Sequence, residues 1–224
     1  MTGYAVNPAS VVLAAVFAVA VDLAVLPTAP AAAAAHRRRP APAAVHHRHH
    51  RPAKPSPAKP STPPPGLAAV CPDTGLTPTP DDVSAVAAAV LCLINKQRAA
   101  GGLRLLEPNP ALAAAARAHS SDMVAGDYFD HVSPSGDGPL ERLRHSGYLT
   151  PGVGFVAGEN IAAALGDRAT PAATVARWMG SPEHRANILS PAFRDTGIGV
   201  APAAPASLGS GPGATYTEEF GSLN

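Results

Sequence analysis

The residues of this chain best suited to chemistry stand alone in apolar or small-residue settings. They are His131 in YFDH, Glu159 and Asn160 in AGENIA, and Glu183, His184, Arg185 and Asn187 in WMGSPEHRANIL. Imidazoles brought together from distant segments can ligate Zn²⁺ through neutral nitrogens. A carboxylate beside them can be a third ligand or orient one ring through its second N–H. Water on such an open site can yield hydroxide near neutral pH. The same groups also have a structural use, a buried carboxylate accepting hydrogen bonds that lock a strand to a loop. The residues alone leave both readings open. His-Glu-x-x-His, Gly-x-Ser-x-Gly, P-loop and Gly-x-Gly-x-x-Gly strings are all missing, and Gly152, Gly154 and Gly158 read as turn punctuation.

Other polar residues have simpler expectations. His119 and Asp122, spaced i and i+3, are expected to pair on a helix surface. His145 suits a helix C-terminus, where partial positive charge complements the dipole. Arg185 is a candidate ion-pair partner for an acid near the site, and Asn187 a candidate tie to backbone. Trp178, the single Trp, is expected as a core anchor. Glu218 receives no role.

Several helices must position these groups. Asp81 and Asp82 precede a helical run over Val83–Ala100 that Gly101-Gly102 stops. Asn109 caps a second helix through Val124, with Pro110 at its first position and Gly126 beyond. Pro139–Ser146 reads as a short third helix and Pro171–Met179 as a fourth. Ser181 then caps a short turn carrying Glu183 and His184. The period switches late in the chain. Thr196–Ala201 and Ala214–Phe220 read as an antiparallel hairpin, and Gly158–Ala162 as a third strand. Tyr216 and Phe220 alternate with Thr217 and Glu219, so one face of the last strand belongs to the core. Helices first and strands late give an α+β domain with an antiparallel sheet.

Charge and composition set the domain organisation. The chain has 224 residues and a net charge of +1, but the basic groups are unevenly placed. Residues 36–65 hold seven Lys and Arg and no acid, whereas residues 66–224 carry 10 basic and 15 acidic groups. A mildly acidic folded part excludes a nucleic-acid-binding face. Val11–Val21 is an apolar run of signal-peptide length, followed by small residues from Thr28 to Ala35. Residues 1–35 are therefore expected to be a cleaved signal peptide, and the protein to be secreted. Residues 36–65, with nine prolines and five histidines, are expected to form a disordered linker. That linker can touch an anionic cell surface through charge attraction. Residues 66–224 form one domain, expected to be a monomer. In an oxidising compartment Cys71 and Cys92 pair as a disulfide.

Four stretches in this order resemble the CAP superfamily, or SCP domain, in its bacterial secreted branch. They are LINKQRAAGGLRLLEPNPALAAAARAHSSDMVAGDYFDHVSPSGDGPLERLRHSGY, AGENIA, WMGSPEHRANIL and FRDTGIGVA. The resemblance runs from about Val90 to Gly221 and implies an α-β-α sandwich with an open groove. In that family two histidines and two glutamates line the groove, and some members bind zinc or calcium there. Carried over by position, His131, Glu159 and His184 become the groove residues and the candidate catalytic groups, with His131 and His184 as metal ligands for Zn²⁺ or Ca²⁺. The second glutamate falls on Ser181, so the four-residue set is incomplete. The resemblance implies an extracellular binding module whose groove holds a divalent metal or an apolar ligand. Its partner would be a lipid, a peptide or a cell-wall polymer. A metal-dependent hydrolase of peptides or wall polymers, and a structural wall protein, are the alternatives.

Overall fold

The computed structural model describes residues 70–223, and side-chain caps, Asn109 and Thr170, open two of its helices. The expected signal peptide and the linker lie outside these residues. Helix α1 spans Val83–Ala100. Helix α2 spans Pro110–Ala125, and the Asn109 side chain accepts from the N–H groups of Ala111 at 2.9 Å and Leu112 at 3.2 Å. Helices α3 (Pro139–His145), α4 (Pro171–Gly180) and α5 (Pro182–Ile188) follow, each with proline in its first turn. Ser181 stands at the N-cap of α5 but its side chain makes no capping hydrogen bond. The sequence expectation is met in position and not in mechanism.

The strands are β1 (Glu107–Pro108), β2 (Phe155–Leu165), β3 (Asp195–Ala201) and β4 (Gly213–Leu223), in the order β1-β3-β4-β2. β3 and β4 form the expected antiparallel hairpin, and β2 lies antiparallel on the other side of β4. β1 is an unforeseen edge strand, parallel to β3. The last strand of the chain is thus interior to the sheet and pairs along its length with β2.

Helices cover both faces, giving the α-β-α sandwich. On one face Val86, Val90 and Ile94 of α1 and Val175 and Trp178 of α4 pack with Ile198, Val200, Tyr216 and Phe220. The Trp178 indole is fully buried and donates to the Ile161 carbonyl at 3.1 Å. Arg98 occupies the apolar side of α1. Its guanidinium donates to the carbonyls of Arg104 at 2.8 Å, Ile188 at 2.7 Å and Ser190 at 2.9 Å. This fixes the end of α5, and with it the helix carrying His184.

α2 lies on the opposite face, and two glycines let it approach. A Cβ on Gly197 would strike the backbone of Leu112 and Ala113, and one on Gly199 the backbone of Ala116. Both faces of β4 are therefore buried. Thr217 and Glu219 are as inaccessible as Tyr216 and Phe220. Ser120 of α2 donates to Thr217 Oγ1 at 2.9 Å across this interface. Beyond it, Leu112 and Ala115 of α2 pack with Leu143, Tyr148 and Ala157.

Cys71 and Cys92 are disulfide-bonded, with Cα atoms 5.8 Å apart. The bond pins the segment before α1 to that helix, and closing a loop of this length contributes about 3 kcal/mol in the chain-entropy view. The backbone of the same segment meets α4 through Ala172 N–H to Thr74 O at 2.9 Å.

Candidate functional site

β2 turns Glu159 to the α2 side of the sheet and Asn160 to the α1 side, because neighbouring residues of a strand point to opposite faces. Each meets a different polar cluster. Glu159 Oε1 is 2.6 Å from His131 Nδ1, and Glu159 Oε2 accepts from Arg142 Nη2 at 2.7 Å. The same Arg142 group donates to the His131 carbonyl at 2.9 Å, and Arg142 Nη1 to the Asp137 carbonyl at 3.0 Å. One carboxylate of β2 and one guanidinium of α3 thus hold the loop carrying His131. Burial alone would raise the Glu159 pKa. The His131 hydrogen bond and the charges of Arg142 and His119 outweigh it and bring the group to about 2.

Across β4, Glu219 is the register partner of Glu159. Its carboxyl receives no hydrogen bond among the described residues and shares its own proton with Glu159, and Arg142 Nε lies 3.8 Å from Oε1. Burial, reinforced by the negative charge of Glu159, pushes the Glu219 carboxyl well above the usual carboxylate range. Glu219 therefore holds its proton more tightly than an ordinary carboxyl, and Glu159 beside it less tightly. Glu218, one residue earlier, faces the α1 side. Thr196 Oγ1 donates to it at 3.3 Å, and Asn160 Nδ2 at 3.5 Å. Burial raises its pKa as well.

On that second face Asn160 Nδ2 donates to the His184 carbonyl at 3.3 Å. Asn187 Nδ2 donates to the Glu159 carbonyl at 3.2 Å and to Asn160 Oδ1 at 3.0 Å. Asn187 is the backbone tie expected of it. His184 is 1% exposed, and neither ring nitrogen has a hydrogen-bond partner among the described residues. Burial, with the charges of His131 and Arg177 adding, lowers its pKa to about 4. Of the two imidazoles, Glu159 bonds that of His131.

Several expectations need correction. His119 does not pair with Asp122 on the surface. It is 1% exposed, its Nε2 lies 3.9 Å from Glu159 Oε2 without a hydrogen bond, and burial brings its pKa to about 4. Tyr128 stands between the two, its hydroxyl 3.4 Å from His119 Nδ1 and donating to Asp122 at 2.5 Å. The reason is the close seat of α2, which turns this side of the helix toward the sheet. Arg185 is exposed and forms no ion pair among the described residues. Glu183 is also exposed. Arg142 and Glu219, which sequence reasoning missed, are central. The glycine pair of TGIGVA was the available signal, since it announces a helix lying close enough to bury the outer face of β4.

Two clefts flank the cluster. The larger, of about 500 Å³, runs between α2 and α3, and both His119 and Arg142 line it. The smaller, of about 260 Å³, is mainly apolar, lined by Val132, Pro139, Leu140 and Ala157 with Glu159 at its wall. Among the described residues no group of three His, Cys, Asp or Glu stands ready to hold a metal ion.

The pattern of the cysteine-rich secretory protein family, CAP, matches residues 91–208. The Bacillus subtilis (strain 168) protein YkwD is 40% identical over 125 residues, which make up 55% of this chain and 45% of YkwD. An extracellular SCP-domain protein from Bacillus anthracis superposes with a TM-score of 0.52 at 29% identity. The overlap covers 64% of this chain and 43% of that one. An outer surface protein of Borrelia burgdorferi gives 0.51 at 16% identity, covering 66% of this chain and 96% of its own, a likeness of fold alone. The chain thus spans less than half the length of YkwD and of the Bacillus anthracis protein.

Proposed function

The chain belongs to the CAP family, and from that premise we propose that it acts outside the cell as a binding module rather than as a hydrolase. One observation carries the reading: both oxygens of Glu159 are engaged, by His131 and by Arg142, in a buried site that keeps the carboxylate ionised down to about pH 2. A general base works best with a pKa near the operating pH and within reach of its proton. Glu159 satisfies neither condition. Ser181, where the family's second glutamate would stand, supplies no carboxylate. Glu219 is fully buried, and burial holds its carboxyl well above the usual carboxylate range. What the fold offers instead is two preformed clefts held by a rigid polar cluster. The apolar run at the N-terminus and the disulfide support export, as does the extracellular description of the Bacillus anthracis relative.

A divalent metal would find only part of a ligand set here, since no group of three His, Cys, Asp or Glu is assembled among the described residues. His131 and His184 are the residues that would hold it, with Glu159 bonded to His131 Nδ1. The two partnerless nitrogens of buried His184 are the observation in favour. The metal would supply Lewis acidity, and Glu159 would orient the first imidazole from behind. This donor set favours Zn²⁺ over Ca²⁺, which takes six to eight oxygens. Calorimetric titration of the full chain with Zn²⁺ near pH 7.5, above the ordinary imidazole pKa of about 6.5, tests this part. A tight equivalent lost on His131→Ala/His184→Ala supports it, and equal uptake by both proteins assigns the metal to the histidines of residues 36–65.

The binding reading itself is tested by native mass spectrometry of the full-length protein recovered from an exporting host. A defined small molecule leaving with the folded protein supports it. Steady release of cleaved wall fragments, lost on Glu159→Gln, supports a hydrolase instead.

A further inference from the structure

The larger cleft has a chemistry of its own, and it differs from the site of His131 and His184. Its floor is the small-residue side of α2, where Ala114, Ala115 and Ala118 present a flat apolar strip. Its polar lining includes Ser133, Ser135, Asp122 and Asp137, with His119 and Arg142 on the inner wall. Those last two side chains are more than nine-tenths buried, and their nitrogens without a hydrogen-bond partner among the described residues face the carboxyl cluster behind the wall, His119 Nε2 3.9 Å from Glu159 Oε2 and Arg142 Nε 3.8 Å from Glu219 Oε1.

We infer that this cleft takes an uncharged, hydroxyl-rich ligand of the glycan class, one sugar ring seated on the alanine strip between α2 and α3. Three alternatives fail on the same observations. An anionic ligand, such as a phosphate or a lipid headgroup, meets the carboxylates of Asp122 and Asp137, while the Arg142 charge is already paired with Glu159. An extended peptide held by main-chain pairing needs a strand edge. The α2 and α3 walls are helices, whose interior backbone groups are internally bonded, and the 133–137 loop closes on its own backbone, Ser133 N–H donating to Asp137 O at 3.0 Å and Gly136 N–H to Ser133 O at 2.8 Å. An acyl chain would strip water from the aspartate and serine oxygens without replacing the hydrogen bonds that water gave them. Sugar hydroxyls donate to carboxylates and accept from serine hydroxyls and N–H groups, so they satisfy this lining without bringing a charge. Asp122 holds one hydrogen bond from Tyr128 and Asp137 a long one from Ser135, which leaves acceptor capacity on both. Burial keeps His119 neutral, so the inner wall adds no cation at physiological pH.

The inference rests on the binding-module reading and names its ligand. The test uses the full chain and a neutral probe, N-acetylglucosamine tetramer, which has no charge for the basic linker to attract. Binding is followed by calorimetry or ligand-observed NMR. Wild type binds the tetramer. Ala118→Phe, at an exposed position of α2, fills the cleft and weakens binding by at least about tenfold, while Ala118→Ser retains it. Melting temperatures of both variants confirm the fold. Parallel arms use a peptidoglycan stem peptide and phosphatidylglycerol vesicles. Binding of either without the tetramer overturns the glycan assignment and leaves the binding module standing. No binding of any probe, or tetramer binding that Ala118→Phe leaves unchanged, also overturns the assignment to this cleft.

Discussion

Glu159 and Glu219 are directly opposed across β2 and β4, on the same face of the sheet, and their carboxyl pKa values are driven in opposite directions, Glu159 down and Glu219 up. Two buried carboxylates side by side cannot both ionise cheaply. Arg142 and His131 settle which one does, since both bond Glu159 and only Arg142 comes near Glu219. This asymmetry makes Glu159 an anchor for the His131 loop and gives the domain a built-in response to pH.

The alkaline side follows from Glu219 and Glu218, whose folded pKa values are raised above the ordinary 4.5. A raised pKa means the folded state binds a proton that the unfolded chain releases. The stabilisation is complete below pH 4.5 and is lost as pH rises toward the folded value. Thermal unfolding should therefore show stability falling as pH rises from about 7 into the alkaline range, above the imidazole titrations. Glu219→Gln, neutral at all pH, should flatten that slope and melt higher than wild type above pH 7. A slope unchanged by the substitution would remove Glu219 from the account.

On the acid side His119 and His184 dominate, both lowered from 6.5 to about 4 by burial. Here the unfolded chain takes the proton first. Stability is complete above pH 6.5 and is lost as pH falls toward 4. Urea unfolding at pH 7 and pH 5 should show a smaller drop for His184→Gln than for wild type. Equal drops would mean that His184 is protonated in the fold.

Removing one member of the buried ion pair leaves its partner charged and alone. Glu159→Ala and Arg142→Ala should each cost about 3–5 kcal/mol. The double variant should cost clearly less than their sum, because the second substitution removes a charge already stranded. Chemical denaturation of the four proteins measures the coupling. Simple additivity would show that the two groups do not act together.

Gly199 tests the seat of α2. Gly199→Ala places a Cβ against the backbone of Ala116, forcing the helix outward at a cost of about 1–3 kcal/mol or more. Amide exchange should accelerate along α2 while α1 keeps its protection. Uniform loss across both helices would mean that the two faces of the sheet unfold together.

Much of the frame was legible because local chemistry specifies it. Asn109, Pro110, Pro139, Pro171 and Pro182 mark helix starts whatever the tertiary structure, and the Tyr216/Phe220 alternation marks a core face. β1 was not legible, since two residues, Glu107 and Pro108, have no period to read. His119 and Glu219 were assigned to outer surfaces because each was weighed on its own element. Their burial comes from a contact between elements that share no local signal except the Gly197 and Gly199 pair. Arg142 was hidden for the same reason. Within PLERLRH it is one of two arginines, and nothing nearby says which one reaches Glu159.

The most direct test of the central claim is a turnover measurement on purified peptidoglycan sacculi. The full-length protein, with and without added Zn²⁺, is incubated with sacculi, and the soluble fraction is analysed by liquid chromatography and mass spectrometry. The account predicts protein retained on the wall material and no new reducing ends or peptide termini beyond the protein-free control. New termini produced by wild type and absent with Glu159→Gln would contradict it, for they would show Glu159 taking part in bond cleavage.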